Sequence, residues 1–243
     1  MSPLPPLVTA NPSLSSRNLA KYAIACARET NITRNIYFAS NPLKRFVVRR
    51  NLANVIKGVL QVNSRTRVLD FGPGFGVLFP VLSRLFGDVV ALDVDGVELS
   101  LARQTVSHLG LTNVECIKVN IDNELGAFVE AEFDCIVADN VLEHVEGAAQ
   151  LLFDFERILK PDGILVVSLP SENAAYRMFE SKDSGHVHDT GSAIEELITA
   201  LRRRFTQEFS LDSWPFFKTR VYRSTRKLSP DFHSGRTLPE ILR

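Results

Sequence analysis

The 243-residue chain has no cysteine framework: Cys26, Cys116 and Cys135 are an odd set with neither CxxC nor Cys/His spacing. That argues against a disulfide scaffold and against a cysteine-built zinc site, and leaves the three as small apolar residues for the interior. No stretch reaches the roughly 18 uninterrupted apolar residues of a membrane helix. The segment from Met1 to Asn18 is rich in proline, serine and asparagine but has no basic start followed by an apolar run. No signal peptide is therefore expected, and a cytoplasmic location is. Net charge is missing too, since 28 Lys+Arg balance 28 Asp+Glu, which removes any global electrostatic reason to expect nucleic acid. There is no internal repeat and no low-complexity tract.

What is present suits one α/β domain with terminal additions: 45% hydrophobic and 23% charged residues in a length that buries a sizeable core. Charge is uneven along the chain. Acidic residues dominate from Glu115 to Asp162, whereas Arg202, Arg203, Arg204, Lys218, Arg220, Arg223, Arg226 and Lys227 crowd the C-terminal third. This basic cluster reads either as a solvated face or as a contact for an anionic acceptor or partner.

Leu19, Ala20, Ala23, Ile24 and Ala27 recur at helical spacing, and Asn41-Pro42 signals the cap and first turn of a second helix. Phe46, Val48, Leu52, Val55, Ile56 and Val59 form its expected apolar stripe, with Lys44, Arg45, Arg49 and Arg50 toward one end. From Arg67 the pattern changes to short apolar runs alternating with helical periods. Strands are expected at Arg67–Phe71, Val89–Asp93, Val114–Val119, Phe133–Asp139 and Ile164–Leu169. Helices are expected at Gly76–Phe86, Val97–Leu109 and Ala148–Leu159, the last ended by Lys160-Pro161-Asp162-Gly163. A helix over Ala193–Arg204 and strands at Gln207–Leu211 and Lys218–Arg223 follow. The predicted fold is a Rossmann-like α/β parallel sheet with a final antiparallel strand and helices on both faces. Its parts are an N-terminal helical cap over 1–62, a main domain over 63–228 with a polar lid insertion at about 171–192, and an irregular tail over 229–243.

The strongest signal is Val68-Leu69-Asp70-Phe71-Gly72-Pro73-Gly74-Phe75-Gly76, an apolar strand entering three alternate glycines and then a helix. Glycine lets backbone approach a ligand where a Cβ would collide, and the turn exposes N–H groups. About twenty residues on, Val89-Val90-Ala91-Leu92-Asp93 delivers a carboxylate to the same sheet edge, placed to accept both hydroxyl protons of a ribose. The third glycine falls at Gly76, not at G-x-G-x-x-G spacing, which disfavours a dinucleotide and a nicotinamide oxidoreductase. A nucleoside without a pyrophosphate fits better.

On these residues the chain resembles the class I S-adenosylmethionine-dependent methyltransferases, particularly the small-molecule and quinone-type group. Asp70-x-Gly72-x-Gly74-x-Gly76 resembles the family's first motif, and Leu92-Asp93-Val94-Asp95 with Leu99-Ser100-Leu101-Ala102-Arg103 the second. Phe133-Asp134-Cys135-Ile136-Val137, Val141-Leu142-Glu143-His144-Val145 and Arg157-Ile158-Leu159-Lys160-Pro161-Asp162-Gly163 resemble the later ones. The resemblance implies S-adenosyl-L-methionine as cofactor. Gly72, Gly74 and Gly76 would approach its methionine portion, Asp93 with Val94 its ribose, and Asn120-Ile121 its adenine, although the family usually has aspartate where Asn120 stands. Asp139 and Asn140 would lie beside the sulfonium. Asp70 would orient the loop or a water, or simply cap the glycine turn.

A sulfonium methyl is already electrophilic, so the protein must chiefly align an acceptor and, for oxygen or nitrogen, remove a proton. His144 is the candidate base, with a structural histidine as the alternative. His186 and His188 with Asn140, Glu143 and His144 only sketch a metal site, because an amide is a poor ligand for a divalent cation; no metal is expected. Tyr37, Phe38, Tyr176, Phe179 and Trp214-Pro215-Phe216-Phe217, with the N-terminal helices, could roof an apolar acceptor cavity. The expectation is a methyltransferase for a small-molecule or lipid-like acceptor, anionic or apolar. The alternative is a non-catalytic S-adenosylmethionine-binding partner or regulatory subunit.

Overall fold

The computed structural model describes residues 15–30, 36–38, 40–120, 125, 128–171, 190–213 and 216–226. Ile121, most of the expected lid with His186 and His188, Tyr176, Phe179, Trp214 and the tail lie outside the described residues.

Two helices come first, α1 (Ser16–Glu29) and α2 (Pro42–Val59), the second capped by the Asn41 side chain, which accepts from the Leu43 and Lys44 N–H groups. Then follow β1 (Arg67–Phe71), α3 (Phe79–Leu85), β2 (Asp88–Asp93), α4 (Gly96–Leu109), β3 (Val114–Lys118), β4 (Phe133–Asp139) and α5 (Ala148–Ile158). The described chain closes with β5 (Leu159–Pro170), α6 (Thr190–Arg204), β6 (Phe205–Ser213) and β7 (Phe217–Ser224). The seven strands lie in the order β3-β2-β1-β4-β5-β7-β6. β1 to β5 run parallel, and β7 runs against both β5 and β6. This is the expected Rossmann-like sheet with one antiparallel strand.

Strand alternation sends Val68, Val89, Cys135, Val137, Ile164, Val166 and Val221 to the face covered by α1 and α2. Leu69, Phe71, Val90, Leu92, Ile136, Ala138, Leu165 and Val167 go to the face covered by α5 and α6. Both faces are apolar because both are covered, which is why these strands read as near-continuous hydrophobic runs. Helix α2 lies close on the sheet at Gly58, where a Cβ would stand 2.9–3.0 Å from the methyls of Val221 and Val166.

Four expectations change. Phe46 is 59% exposed and Val47 takes its place in the buried stripe of α2, because the helix presents Val47, Val48, Asn51 and Leu52 inward. The third helix begins at Phe79 rather than Gly76, whose φ of +82° is left-handed and cannot continue an α-helix. Lys160–Gly163 is not a free turn: Leu159 already pairs with Phe133, and the next pair is Ile164 with Cys135, so the intervening residues bulge out of β5 with Asp162 at φ 59°. Cys116 is only partly buried, unlike Cys26 and Cys135.

Asp134 ties the sheet's lower edge together. It is buried, accepts from the Thr66 and Arg67 N–H groups at 2.9 and 2.8 Å, and meets Lys160 Nζ at 2.9 Å. Burial alone would push its carboxyl up, but the lysine and the backbone donors hold it below the ordinary value.

The glycines of the bend have separable roles. A Cβ on Gly76 would meet the Phe79 ring at 2.3 Å, whereas one on Gly74 meets nothing closer than Glu98 Oε2 at 3.8 Å. Gly76→Ala should therefore cost about 2–4 kcal/mol, from overpacking and a left-handed backbone together. Gly74→Ala should cost only about 1 kcal/mol, the backbone part. Urea midpoints at unchanged m-value measure both, and equal losses would remove the distinction.

Candidate functional site

The C-terminal edge of the sheet is where the polar residues collect. Phe71 pairs with Leu92 on one side and Ala138 on the other, so Gly72, Asp93 and Asp139 emerge at the same level from β1, β2 and β4. The Gly72 N–H donates to Leu92 O at 2.8 Å, which fixes the bend beside the end of β2. Val119 N–H donates to Asp93 O at 3.0 Å, bringing exposed Asn120 to that edge as well.

A cavity of about 340 Å³ opens above this edge. It is lined by the polar and glycine residues Asp70, Gly72, Pro73, Gly74, Glu98, Asp139 and Asn140, by the apolar Tyr37, Phe75, Val77, Leu78, Phe216 and Phe217, and by Lys44, Val47, Val48 and Asn51 of α2. Of the residues expected in the site, Asp70, Gly72, Gly74, Asp139 and Asn140 meet here, as do Tyr37 and two aromatics of the 214–217 segment. Gly76 does not line it; its missing side chain makes room for Phe79. Asp93 and Val94 lie next to the cavity rather than in its wall, Asp93 within electrostatic reach of Glu98. His144 also lies outside the wall, on a short 3₁₀ turn (Leu142–His144) with its side chain 62% exposed. Its neighbour Glu143 is the buried one, its carboxyl pushed up to about 8 by burial. Among the described residues no cluster of His, Cys, Asp and Glu has the arrangement of a metal site.

One row of polar residues crosses three strands under α2. Asp139, Ser168 and Thr219 are register partners on β4, β5 and β7. Asn51, itself 2% exposed, bonds this row: its Nδ2 donates to Asp139 Oδ1 at 3.0 Å, and its Oδ1 accepts from Ser168 Oγ at 3.0 Å and Thr219 Oγ1 at 3.1 Å. Asn140, left-handed at φ 54°, adds a second amide to Asp139 Oδ1 at 2.8 Å. Sequence reasoning passed over Asn51, although a lone amide inside the stripe Val47, Val48, Leu52, Val55 was a signal. It also missed Glu98, in the first turn of α4 after the Asp95 cap.

The electrostatics are those of crowded, buried carboxyls. Asp70 is 1% exposed and its carboxyl is pushed up to about 8, by burial first and then by the charges of Asp139 and Asp93. Asp139 is raised to about 6 by burial, against the donors that hold it. Burial and neighbouring acids raise Glu98, and the buried Tyr37 hydroxyl is driven well up by burial and by Asp139 and Asp70. Two buried acceptors in this wall, Asp70 Oδ2 and Asn140 Oδ1, have no hydrogen-bond partner among the described residues. Unpartnered acceptors in a raised-pKa acidic wall call for a ligand that brings donors and positive charge.

Residues 69–167 match the family described as a methyltransferase domain. A mitochondrial ubiquinone biosynthesis O-methyltransferase of Schizosaccharomyces pombe is 30% identical over 126 residues, covering 51% of this chain and 45% of that protein. A ubiquinone/menaquinone biosynthesis C-methyltransferase of Cronobacter sakazakii is 31% identical over 135 residues, 54% and 53% of the two chains. The chain thus spans about half the length of the curated relatives it matches. In fold it is similar to the N-methyltransferase NodS of Bradyrhizobium japonicum solved with S-adenosyl-L-homocysteine, at a TM-score of 0.59 and 18% identity, covering 84% of this chain and 98% of that one.

The raised Asp70 has a stability consequence. Its folded-state value lies above the unfolded one, so its burial costs nothing below about pH 4, and the penalty grows as pH rises toward 8. Asp70→Asn should therefore raise the melting temperature by about 5 °C or more at pH 8 and leave it nearly unchanged at pH 4. Parallel melts of both proteins across that range check this, and a pH-independent difference would contradict it.

Proposed function

We propose, from the match of residues 69–167 to the methyltransferase-domain family, that the protein is a class I S-adenosylmethionine-dependent methyltransferase that transfers a methyl group to a small-molecule or lipid-like acceptor. The observation that carries the reading is the pair of orphaned acceptors, Asp70 Oδ2 and Asn140 Oδ1, in a wall that also holds Glu98 and the open Cα of Gly74. The residues fit the cofactor: a cationic, donor-rich amino-acid end answers the acids, and Gly74 leaves room for close approach.

In this reading Gly72 and Gly74 border the methionine portion, with Asp70 and Asn140 accepting from its ammonium. Asp93 and Val94 hold the ribose, and Asn120 with Ile121 flanks the adenine. When bound, S-adenosylmethionine supplies a methyl already activated by the sulfonium. The protein's own work is to exclude water, hold the acceptor among Tyr37, Val47, Val48, Phe216 and Phe217, and receive a proton where the acceptor loses one. The apolar and aromatic half of the cavity favours an acceptor with a flat or greasy body, in keeping with the quinone-pathway names of the relatives.

Asp139 is better placed than His144 to receive that proton. It lines the cavity, its carboxyl is tuned to about 6, and two amides fix its orientation, whereas His144 faces outward. The non-catalytic alternative has no observation in its favour, because a cofactor-only module needs no apolar chamber beside the cofactor wall.

Two expected outcomes test this. Binding of S-adenosylmethionine at pH 7 should release close to one proton, since a cation ionises Asp70; calorimetry in buffers of different ionisation enthalpy reads it, and Asp70→Asn should abolish it. Proton-neutral binding, or no binding, would count against the site. With methyl-labelled cofactor and a panel of phenols, Asp139→Asn should lower kcat about a hundredfold or more and remove an acidic limb near pH 6, while His144→Ala leaves the rate nearly intact. The reverse ranking would restore His144 as the base.

A further inference from the structure

Among the described residues that line the cavity, Lys44 of α2 is the one cation, set against the acids Asp70, Glu98 and Asp139. The methyl-transfer reading gives it no task. Lys44 is half-buried, and among the described residues its side chain makes neither an ion pair nor a hydrogen bond, so it neutralises none of the three acids that share its cavity. It stands in the first turn of α2, where the helix dipole disfavours a cation, so helix stability does not account for it either.

Register fixes where along the cavity Lys44 stands. Asn51 of α2 is bonded to Asp139, Ser168 and Thr219, which lie level with one another at the sheet edge. Later in the same helix Gly58 approaches Val166, so α2 runs against β5 and its N-terminal end rises above that edge. Lys44, Val47, Val48 and Asn51 share the face toward the cavity. From Asn51 to Lys44 the helix climbs about 10 Å. Phe217 pairs with Pro170, two residues past Ser168 on β5, roughly 7 Å above the polar row. The cavity is thus layered: Asp139 at the floor, an apolar band of Val47, Val48, Phe216 and Phe217 above it, and Lys44 at the top.

We propose that the acceptor is an aromatic hydroxy acid, held with its hydroxyl at Asp139, its ring in the apolar band and its carboxylate on Lys44. This deepens the methyl-transfer reading and rests on it. Each layer selects one part of such a molecule. Asp139 meets the group that must lose a proton, the valines and phenylalanines take a flat body, and the ammonium of Lys44 gains a charge-assisted hydrogen bond. One positive charge balances a monoanion, which favours a carboxylate over a phosphate dianion. The same layout sets the direction of binding. Turned end for end, the acceptor would press its carboxylate against Asp70 and Asp139, and like charges would reject it. Lys44 is in this way a specificity-determining residue.

The test reads binding and needs no turnover. Para-hydroxycinnamate, whose hydroxyl and carboxylate stand at opposite ends of a flat body, and its uncharged amide are titrated calorimetrically into the full chain with S-adenosyl-L-homocysteine present. The acid should bind about tenfold more tightly than the amide, and the ratio should shrink as salt rises. Lys44→Gln should bring the ratio to within about twofold of one, Lys44→Glu should make the amide the tighter ligand, and Lys44→Arg should keep most of the preference. The Lys44 side chain has no bond among the described residues to lose, so melting temperatures should match the parent and report that the variants fold. Equal affinities in the parent chain, no binding of the acid, or a preference that survives Lys44→Gln overturns the proposal. Proton release on cofactor binding is measured with no acceptor present, so failure here and failure of the methyl-transfer reading are told apart.

Discussion

A single buried amide organises the cavity. Asn51 reaches from α2 to Asp139 on β4, Ser168 on β5 and Thr219 on β7, and so fixes the helix above the sheet edge where β1 bends at Gly72. Without a polar residue at that position the row beneath would hold unsatisfied groups in a dry interior, each costing on the order of 1–3 kcal/mol. With it, the helix can stand over the sheet and still leave a hollow at its end. The same amide orients the carboxylate that faces the hollow, so packing and chemistry share one hydrogen-bonded network.

Electrostatics divide α2 along its length and around its girth. Its inner side borders a cavity whose carboxyls, Asp70, Glu98 and Asp139, are kept reluctant to ionise by burial first, with neighbouring acids adding to it at Asp70 and Glu98. Its first half carries Lys44, Arg45, Arg49 and Arg50, of which Arg45 donates to Ser40 O and Arg49 to Tyr37 O. The acidic arrangement is costly in the free protein and becomes favourable when positive charge arrives. Asp70 and Asp139 are buried, and their charges meet across the cavity. Lys44, at the cavity's border, belongs to both sides.

The sheet was legible in the sequence because parallel strands covered on both faces must be apolar throughout, and the runs at Arg67, Val89, Phe133 and Ile164 say so. The bend was legible because three alternate glycines after a strand have few other uses, and all three adopt positive φ. What each glycine makes room for was not legible. A Cβ on Gly72 would collide with Val141 and one on Gly76 with Phe79, and of the three only Gly74 has open space before its Cα; these are tertiary contacts that no local pattern encodes. The exposure of His144 escaped for a related reason. A 3₁₀ turn after β4 points Glu143 inward and the histidine outward, and spacing from the strand cannot tell the two apart. Lys160-Pro161-Asp162-Gly163 reads as the turn that ends the helix, but α5 has already ended at Ile158 and the chain is in β5 from Leu159.

Strand order carries a consequence for the order of assembly. β7 is inserted between β5 and β6, so β6 reaches the sheet only through a partner that follows it in the chain. Thr219, the last member of the polar row, and Phe216 and Phe217, which close the chamber, all arrive with that late strand. A chain emerging from the ribosome can complete β1 to β5 while Asn51 still lacks one of its donors and the chamber has no roof. The cofactor wall is thus laid down before its roof, and the chamber beside it closes only when the C-terminal hairpin docks.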